Sequence, residues 1–241
     1  KVVATSTVKI APFPAALASY AFSPTEEKLA SITRSGSLYS IITSSPEGKN
    51  IKTILTTQIP DYELYWIKKD ILAIKTKTSA RAPSLLQTMP ATGGIPTVIL
   101  SGALGFDVAW SPDGSTFIAS SVGTRGYDVS LALFDTATHD KRADIGFATL
   151  TEKCVFSKKN ALLLFCAVPK YTGNEPLPDA WWQGRIGFSD ELWRIDTSTG
   201  ETSLFLENSG FDMTNLFLSP NADFIFFINK KGATLWSYRI R

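Results

Sequence analysis

Histidine and cysteine, which supply many catalytic and metal sites, are scarce in this 241-residue sequence. The single histidine, His139, lies in a polar turn context without a nearby partner, so it supports neither a Ser-His-Asp triad nor a histidine-rich metal site. Acidic residues do not follow an EF-hand spacing, and loop glycines such as Gly93 and Gly94 precede no helix that could bind phosphate. The sequence therefore predicts no cofactor and no metal.

Long hydrophobic runs and a strong charge of one sign are missing too. No stretch approaches the roughly 20 apolar residues of a membrane-spanning helix, and residues 1–10 lack the apolar centre of a signal peptide. The 24 Lys and Arg residues are nearly balanced by 22 Asp and Glu residues, and the cations do not cluster. We therefore expect no membrane insertion by this domain and no nucleic-acid binding.

Only two cysteines are present, Cys154 and Cys166, which is too few for a disulfide framework in a chain of this size. They fall on neighbouring predicted strands, so both a disulfide and two free thiols are open. Free cysteine is among the most buried residue types, and we favour two buried free thiols.

What the sequence does contain is a strand–turn–strand signature that recurs five times. Each copy has an apolar strand ending in a large residue, a turn of polar residues or proline, and a second apolar strand. The large residues are Phe22, Trp66, Trp110, Phe156 and Leu218, spaced by 44, 44, 46 and 62 residues. Third and fourth strands follow most hairpins, and four strands per period of about 40–50 residues are typical of a propeller blade. The sequence predicts an all-β fold, a β-propeller of about five four-stranded blades.

The chain ends suggest how the repeats are completed. Only 23 residues follow Leu218, too few for a fourth strand, whereas residues 1–10 have a strand-like pattern. We expect the N-terminal strand to close the last blade, which would also remove exposed sheet edges. A fragment of a six- to eight-bladed ring, trimmed at blade boundaries, satisfies the same count. The predicted organisation is one domain, 1–241, with blades at roughly 13–56, 57–101, 102–147, 148–207 and 208–241, plus the strand 1–10.

The turn after the first strand resembles the repeat of the TolB-type, WD-repeat-like β-propellers of bacteria. Residues 110–114 (WSPDG) match that repeat fully, whereas residues 22–24 (FSP) and 218–221 (LSPN) match it in part. These residues build the turn and fill the space between blades, so they specify a fold and not a reaction. The resemblance implies a binding role, with another protein or a cell-envelope component as partner and an extracytoplasmic or envelope-associated location.

The fourth repeat is 18 residues longer than the period, and the excess falls at about residues 169–187. Long loops in compact domains are usually functional or disordered, and the adjacent Trp181 and Trp182 argue against disorder. One interpretation is that both tryptophans, with Tyr171 and Arg185, present a binding surface at the channel mouth. The other is that both tryptophans fold back as a plug over apolar surface.

Two further sets of residues are candidates on the same face. Arg125 and Tyr127 lie in the equivalent loop of the third repeat. The residues three before each repeat marker are expected to line the channel near the start of the innermost strands. They are Ser19, Glu63, Asp107, Lys153 and Asn215.

The leading prediction is a non-enzymatic binding module. The alternative is a carbohydrate-binding or glycoside-hydrolysing propeller, because five-bladed glycosidases use inward carboxylates as acid and base. Glu63 and Asp107 are its first candidates, and Glu152 and Asp212 are also considered.

Overall fold

The computed structural model describes residues 19–240, and in them the chain folds into five antiparallel sheets. Strands that follow one another along the chain are neighbours in each sheet. The fold is therefore all-β, as the hairpin repeat predicts. The strand predicted at residues 1–10 lies outside the described residues.

Two sheets precede residue 102. The first contains β1 (Ser19–Phe22), β2 (Leu29–Ser35), β3 (Leu38–Ser44) and β4 (Lys52–Thr57). The second contains β5 (Glu63–Lys68), β6 (Ile71–Lys75), β7 (Leu85–Pro90) and β8 (Thr97–Ser101).

Three sheets follow. The third contains β9 (Leu104–Trp110), β10 (Thr116–Val122), β11 (Ser130–Asp135) and β12 (Lys141–Asp144). The fourth contains β13 (Cys154–Phe156), β14 (Leu163–Pro169), β15 (Asp190–Asp196) and β16 (Thr202–Leu206). The fifth contains β17 (Met213–Leu218), β18 (Phe224–Asn229) and β19 (Thr234–Arg239). Two short helical segments complete the elements: a 3₁₀ turn at Thr151–Lys153 and α1 at Asp179–Trp182.

The chain divides into two compact units. Within the described residues, one comprises 19–76 and 87–97, and the other comprises 77–86 and 98–240. The core of the first unit is built mainly by β2, β3, β5 and β6, with Trp66 and Met89 among its buried side chains. The core of the second includes several apolar clusters, one of which packs Trp181 of α1 against Leu177 and Phe188.

Burial follows strand position within the sheets. The second strands of the second, third and fourth sheets are largely buried on both faces; all of the residues of β10 except Ser121 are buried. The fourth strands have few buried residues, and every residue of β12 is solvent-exposed. This explains why the apolar pattern predicts the inner hairpins well. It fails for β12, whose sequence KRAD has no buried face.

The two cysteines form a disulfide, so the expectation of free thiols is wrong. Cys154 of β13 and Cys166 of β14 are directly opposite each other in the antiparallel pair, and their Cα atoms are 4.1 Å apart. Facing residues in such a pair have their Cβ atoms close together, within reach of a bond. Burial does not distinguish a disulfide from two free thiols, since Cys154 and Cys166 are buried in the disulfide as well.

None of the helices in the part of the chain that the structure describes is long and apolar enough to cross a membrane.

Candidate functional site

The insertion between β14 and β15 is ordered by polar contacts with the second unit. The carboxylate of Asp179, in the first turn of α1, accepts hydrogen bonds from the Ala80 backbone N–H at 2.6 Å and the Ser79 hydroxyl at 3.3 Å. The Leu177 N–H donates to the Gly126 carbonyl at 2.8 Å. The insertion is therefore attached to the loop before β7 and to the loop between β10 and β11.

Trp181 anchors the insertion and is buried, with 1% of its surface exposed. Its indole N–H donates to both carboxylate oxygens of Asp212 at 3.0 Å, and its ring packs 5.9 Å from that of Phe188. The expectation that Trp181 presents a stacking surface is wrong, because its ring lies in the apolar cluster of the insertion and its polar edge is already bonded.

Lys153 is the centre of the buried polar cluster beneath Trp181. Its ammonium group lies 2.8 Å from Asp190 Oδ2 and 2.9 Å from Asp212 Oδ1, and it donates to the Met213 carbonyl at 2.7 Å. These three acceptors match the three donors of a lysine. Lys153 is fully buried, so it does not line an open channel as its position in the repeat predicts.

The two carboxylates of this cluster are held by backbone amides as well. Asp212 Oδ2 accepts from the Phe188 N–H at 3.0 Å, and Asp190 Oδ2 accepts from the Met213 N–H at 2.6 Å. Burial raises the pKa of Asp190, although the neighbouring Lys153 charge opposes that shift. Asp212, considered above as a catalytic carboxylate, is buried and bonded within this structural cluster.

Glu152, adjacent to Lys153 in the chain, lies in different surroundings. It is partly exposed, and one of its carboxylate oxygens accepts a hydrogen bond from the indole N–H of Trp182. Desolvation raises the pKa of Glu152 to about 7; the Asp107 charge acts in the same direction, while Trp182, Lys153 and Lys230 act against it. A carboxyl with this pKa is about half protonated at neutral pH.

Asp107 of β9 is held in place by the 3₁₀ turn that carries Glu152. The Thr151 hydroxyl donates to Asp107 Oδ2 at 2.6 Å, and the Thr151 N–H donates to the Ser120 hydroxyl at 3.3 Å. One turn thus fixes the neighbouring carboxylate and directs Lys153 into the core. We call Asp107, Glu152, Trp182 and Lys230 the Glu152 site.

Trp182 gives the Glu152 site an exposed aromatic surface, since 40% of its area is accessible to solvent. Lys230, from the loop between β18 and β19, donates to the Trp181 carbonyl and lies 4.6 Å from the Trp181 ring. The site therefore combines an indole face, two carboxyl groups and a nearby ammonium group. Chemically, it can accept and donate hydrogen bonds and stack on a flat or apolar face of a ligand.

Four further predicted residues of this unit lie on loops. Tyr171 is 73% exposed, and Arg185 forms an ion pair with Glu175 at 2.5 Å. The Arg125 guanidinium lies 4.4 Å from the centre of the Tyr127 ring. Because Leu177 bonds to Gly126, the structure joins the loop of Arg125 and Tyr127 to the insertion.

Glu63 belongs to the first unit, where its carboxylate is 2.8 Å from the ammonium of the buried Lys75 and accepts a hydrogen bond from the Tyr65 hydroxyl at 3.1 Å. Ser19 accepts a hydrogen bond from the Leu64 N–H at 3.1 Å. Asn215 has a left-handed φ of 51° at an irregularity in the pairing of β17 and is exposed. The five repeat-related positions therefore differ in burial: Lys153 is fully buried, Asn215 is exposed, and the other three are partly buried.

Sequence reasoning missed Asp190 and Lys230. Asp190 directly follows the insertion and is the first residue of β15. The alternating pattern of β15 predicts a strand, but it does not predict that the charge of Asp190 is buried. Lys230 lies in a polar turn, where a lysine carries no signal of its own. Residues 19–240 contain no group of three or more His, Cys, Asp or Glu residues placed to hold a metal ion.

Comparisons with known proteins show similarity of structure only. No protein-family model and no curated protein matches the sequence. Hydrazine synthase from Kuenenia stuttgartiensis matches with a TM-score of 0.61 and 13% identity, over 92% of this chain and 64% of that chain. A putative TolB from Agrobacterium tumefaciens matches with a TM-score of 0.55 and 13% identity, over 93% of this chain and 81% of that chain.

Oligogalacturonate lyase from Vibrio parahaemolyticus also matches, with a TM-score of 0.61 and 10% identity, over 92% of this chain and 65% of that chain. This chain therefore spans less than two thirds of the hydrazine synthase and lyase chains. At such identities the likeness shows the fold alone, which is a propeller-type all-β architecture.

Proposed function

We propose that this chain is a TolB-type propeller module that binds another protein or a cell-envelope component through the Glu152 site and the surrounding insertion. The observation that supports this is that the two adjacent tryptophans differ in exposure. Trp181 anchors the insertion from within, and Trp182 remains 40% exposed with its N–H held by Glu152. A rigidly held, exposed indole is a common anchor of binding surfaces.

Placing benzoylphenylalanine, a photoreactive amino acid, at position 182 tests this function. Irradiation in the native host is expected to cross-link the chain to a defined partner. Ile95, which is 90% exposed in the loop between β7 and β8, provides the control position. Equal cross-linking at both positions, or none at position 182, would contradict the proposal.

A carbohydrate-active module is the second candidate, and the acidity of Glu152 favours it. Glu152, with a pKa of about 7, lies close enough to Asp107 for the Asp107 charge to raise that pKa. Two neighbouring carboxyl groups, one of which has a raised pKa, are a usual arrangement for acid–base catalysis of glycoside hydrolysis. A glycan array followed by cleavage assays on bound glycans tests it. Cleavage that disappears in Glu152→Gln and in Asp107→Asn supports this candidate, whereas an array without binding eliminates it.

We further propose that the predicted blades form one ring in which residues 1–10 complete the fifth sheet. The fifth sheet has three strands within the described residues, and its last strand, β19, exposes Leu235 and Trp236. A fourth strand beside β19 would cover this edge.

The Cys154–Cys166 disulfide also supports an extracytoplasmic location, because disulfides persist mainly in oxidising compartments.

A further inference from the structure

Two adjoining cavities lie in the second unit, lined by the β13–β14 turn and the β17–β18 turn. Their volumes are about 310 and 470 Å³, and they share Lys159 and Ala222 in their linings. We call them together the turn groove. The turns lie at the ends of β14 and β18 opposite to the insertion and to Lys230, so the groove is separate from the Glu152 site.

The floor of the turn groove is apolar. Phe165 and Phe205, with ring centres 6.1 Å apart, line the smaller cavity. Phe217 lines the larger cavity; it is 48% exposed and stacks on Phe226 at 4.9 Å. Because Phe217 stacks on its cross-strand neighbour Phe226, it offers a preformed surface to an apolar side chain.

The rim of the turn groove is cationic. Lys158, Lys159 and Arg194 line it and are exposed, and neither lining includes an acidic residue. Within the described residues, no hydrogen bond or ion pair involves the ammonium of Lys158 or Lys159. The Arg194 guanidinium donates to the neutral Ser203 hydroxyl at 3.2 Å and lies 5.7 Å from the Phe205 ring centre.

A cleft in the first unit contains lysines whose charges are compensated by acidic residues or whose ammonium groups are hydrogen-bonded. It has a volume of about 260 Å³ and is lined by Lys28, Lys52 and Lys69 together with Glu26 and Asp70. Glu26 lies 2.6 Å from Lys28 and 3.6 Å from Lys69, and Lys52 donates to the Thr92 carbonyl at 2.9 Å. Uncompensated cations are thus not a general property of these turns.

We propose that the turn groove binds an extended acidic peptide segment of a partner protein, with two large apolar side chains beside Asp or Glu residues. The two cavities would take the apolar side chains, and the rim cations would bind the carboxylates. Complementarity of charge selects this occupant. Residues 1–18 of this chain contain Lys1 and Lys9 and no acidic residue, so they do not match the rim.

Fluorescence anisotropy with labelled synthetic peptides tests the proposal. The probe is Gly-Asp-Phe-Glu-Leu-Asp-Gly; one comparison peptide replaces its acids with lysine, and another replaces Phe and Leu with serine. We expect the probe to bind, and both comparison peptides to bind at least about tenfold more weakly.

Variants of the chain locate the binding. Lys158→Glu/Lys159→Glu changes two exposed side chains and is expected to weaken probe binding at least about tenfold. The control is Lys68→Glu/Lys69→Glu, which changes the tandem lysines where β5 meets the β5–β6 turn and should leave affinity within about twofold. Equal affinity in both double variants would overturn the proposal. So would equal binding of either comparison peptide, or binding to anionic lipid vesicles without binding to the probe.

Discussion

Glu152 and Lys153 are consecutive residues of one 3₁₀ turn, yet they occupy opposite environments. Lys153 is fully buried between Asp190 and Asp212, whereas Glu152 is partly exposed beside Trp182. The apolar pattern around them predicts the start of β13 but does not indicate which charge enters the core. At the scale of single residues, the two side chains therefore support different predictions.

Replacing Lys153 with methionine is expected to destabilise the fold by about 3–5 kcal/mol, because two buried carboxylates lose their cation. Urea unfolding measures the loss. The control is Lys141→Ala, which removes an exposed ion pair with Asp144 and should have a far smaller effect. Similar losses in the two variants would show that the Lys153 cluster does not stabilise the second unit.

Glu152 should make stability depend on pH. Its pKa is about 7 in the folded chain, against 4.5 for an ordinary glutamate, so between these values the folded state binds more protons than the unfolded state. Stability therefore falls as pH rises through this range. Asp135, whose pKa is lowered to about 2 mainly by its hydrogen bond with Arg142, acts at lower pH, so the contribution of Glu152 is best measured as a difference.

The measurement compares unfolding of the native chain and Glu152→Gln from pH 5 to 8. Relative to the variant, the native chain should lose about 1–2 kcal/mol, allowing for solvent screening of a partly exposed carboxyl. Glu201→Gln, an exposed substitution, provides the control and should run parallel to the native chain. If the difference in unfolding free energy between the native chain and Glu152→Gln does not change with pH, the raised pKa of Glu152 is contradicted.

At the scale of elements, the insertion is tied to β9 through a glycine. A Cβ atom on Gly105 would lie 2.6 Å from the Leu177 carbonyl oxygen and 2.8 Å from Val122 Cγ2, and its φ is +56°. The insertion can lie this close to β9 only because the side chain is absent. The length of the fourth repeat predicts an insertion, but the repeat pattern carries no information about where the insertion packs.

Gly105→Ala should therefore destabilise the chain by about 1–3 kcal/mol more than Gly200→Ala. Gly200 has a similar left-handed φ of +78° but open space around it, so the comparison separates crowding from backbone strain. Thermal unfolding gives the stabilities, and limited proteolysis within residues 170–187 reports the insertion. Equal stability losses, with an unchanged cleavage rate, would mean that the insertion does not depend on this contact.

The sequence predicts the inner hairpins more successfully than the outer strands. Strands β10 and β14 bury nearly every residue, so their composition alone marks them. The exposed β12 is defined by hydrogen bonding to β11, with a shifted register, and by no burial. Backbone pairing of this kind depends on the neighbouring strand and leaves little trace in the side chains.

At the scale of the whole molecule, closure of the fifth sheet by residues 1–10 can be tested with proline. Backbone N–H groups of an edge strand alternate between the neighbouring strand and solvent, and proline removes this donor. Of the two adjacent substitutions Ser6→Pro and Thr7→Pro, at least one should lower the melting temperature and promote association through the β19 edge. Calorimetry and light scattering measure these effects, with Ala15→Pro as the control. If both variants behave like Ala15→Pro, the closure proposal is wrong.

The repeat, its period and its break at the insertion are determined by the sequence alone, since alternation, turn chemistry and spacing are local properties. The tertiary structure decided which tryptophan is exposed, which of Glu152 and Lys153 is buried, and that Cys154 faces Cys166. These outcomes depend on residues distant in the chain, such as Asp212 beside Trp181 and Lys153. A side chain's environment is set by the neighbours that folding brings to it, and a one-dimensional pattern does not contain them.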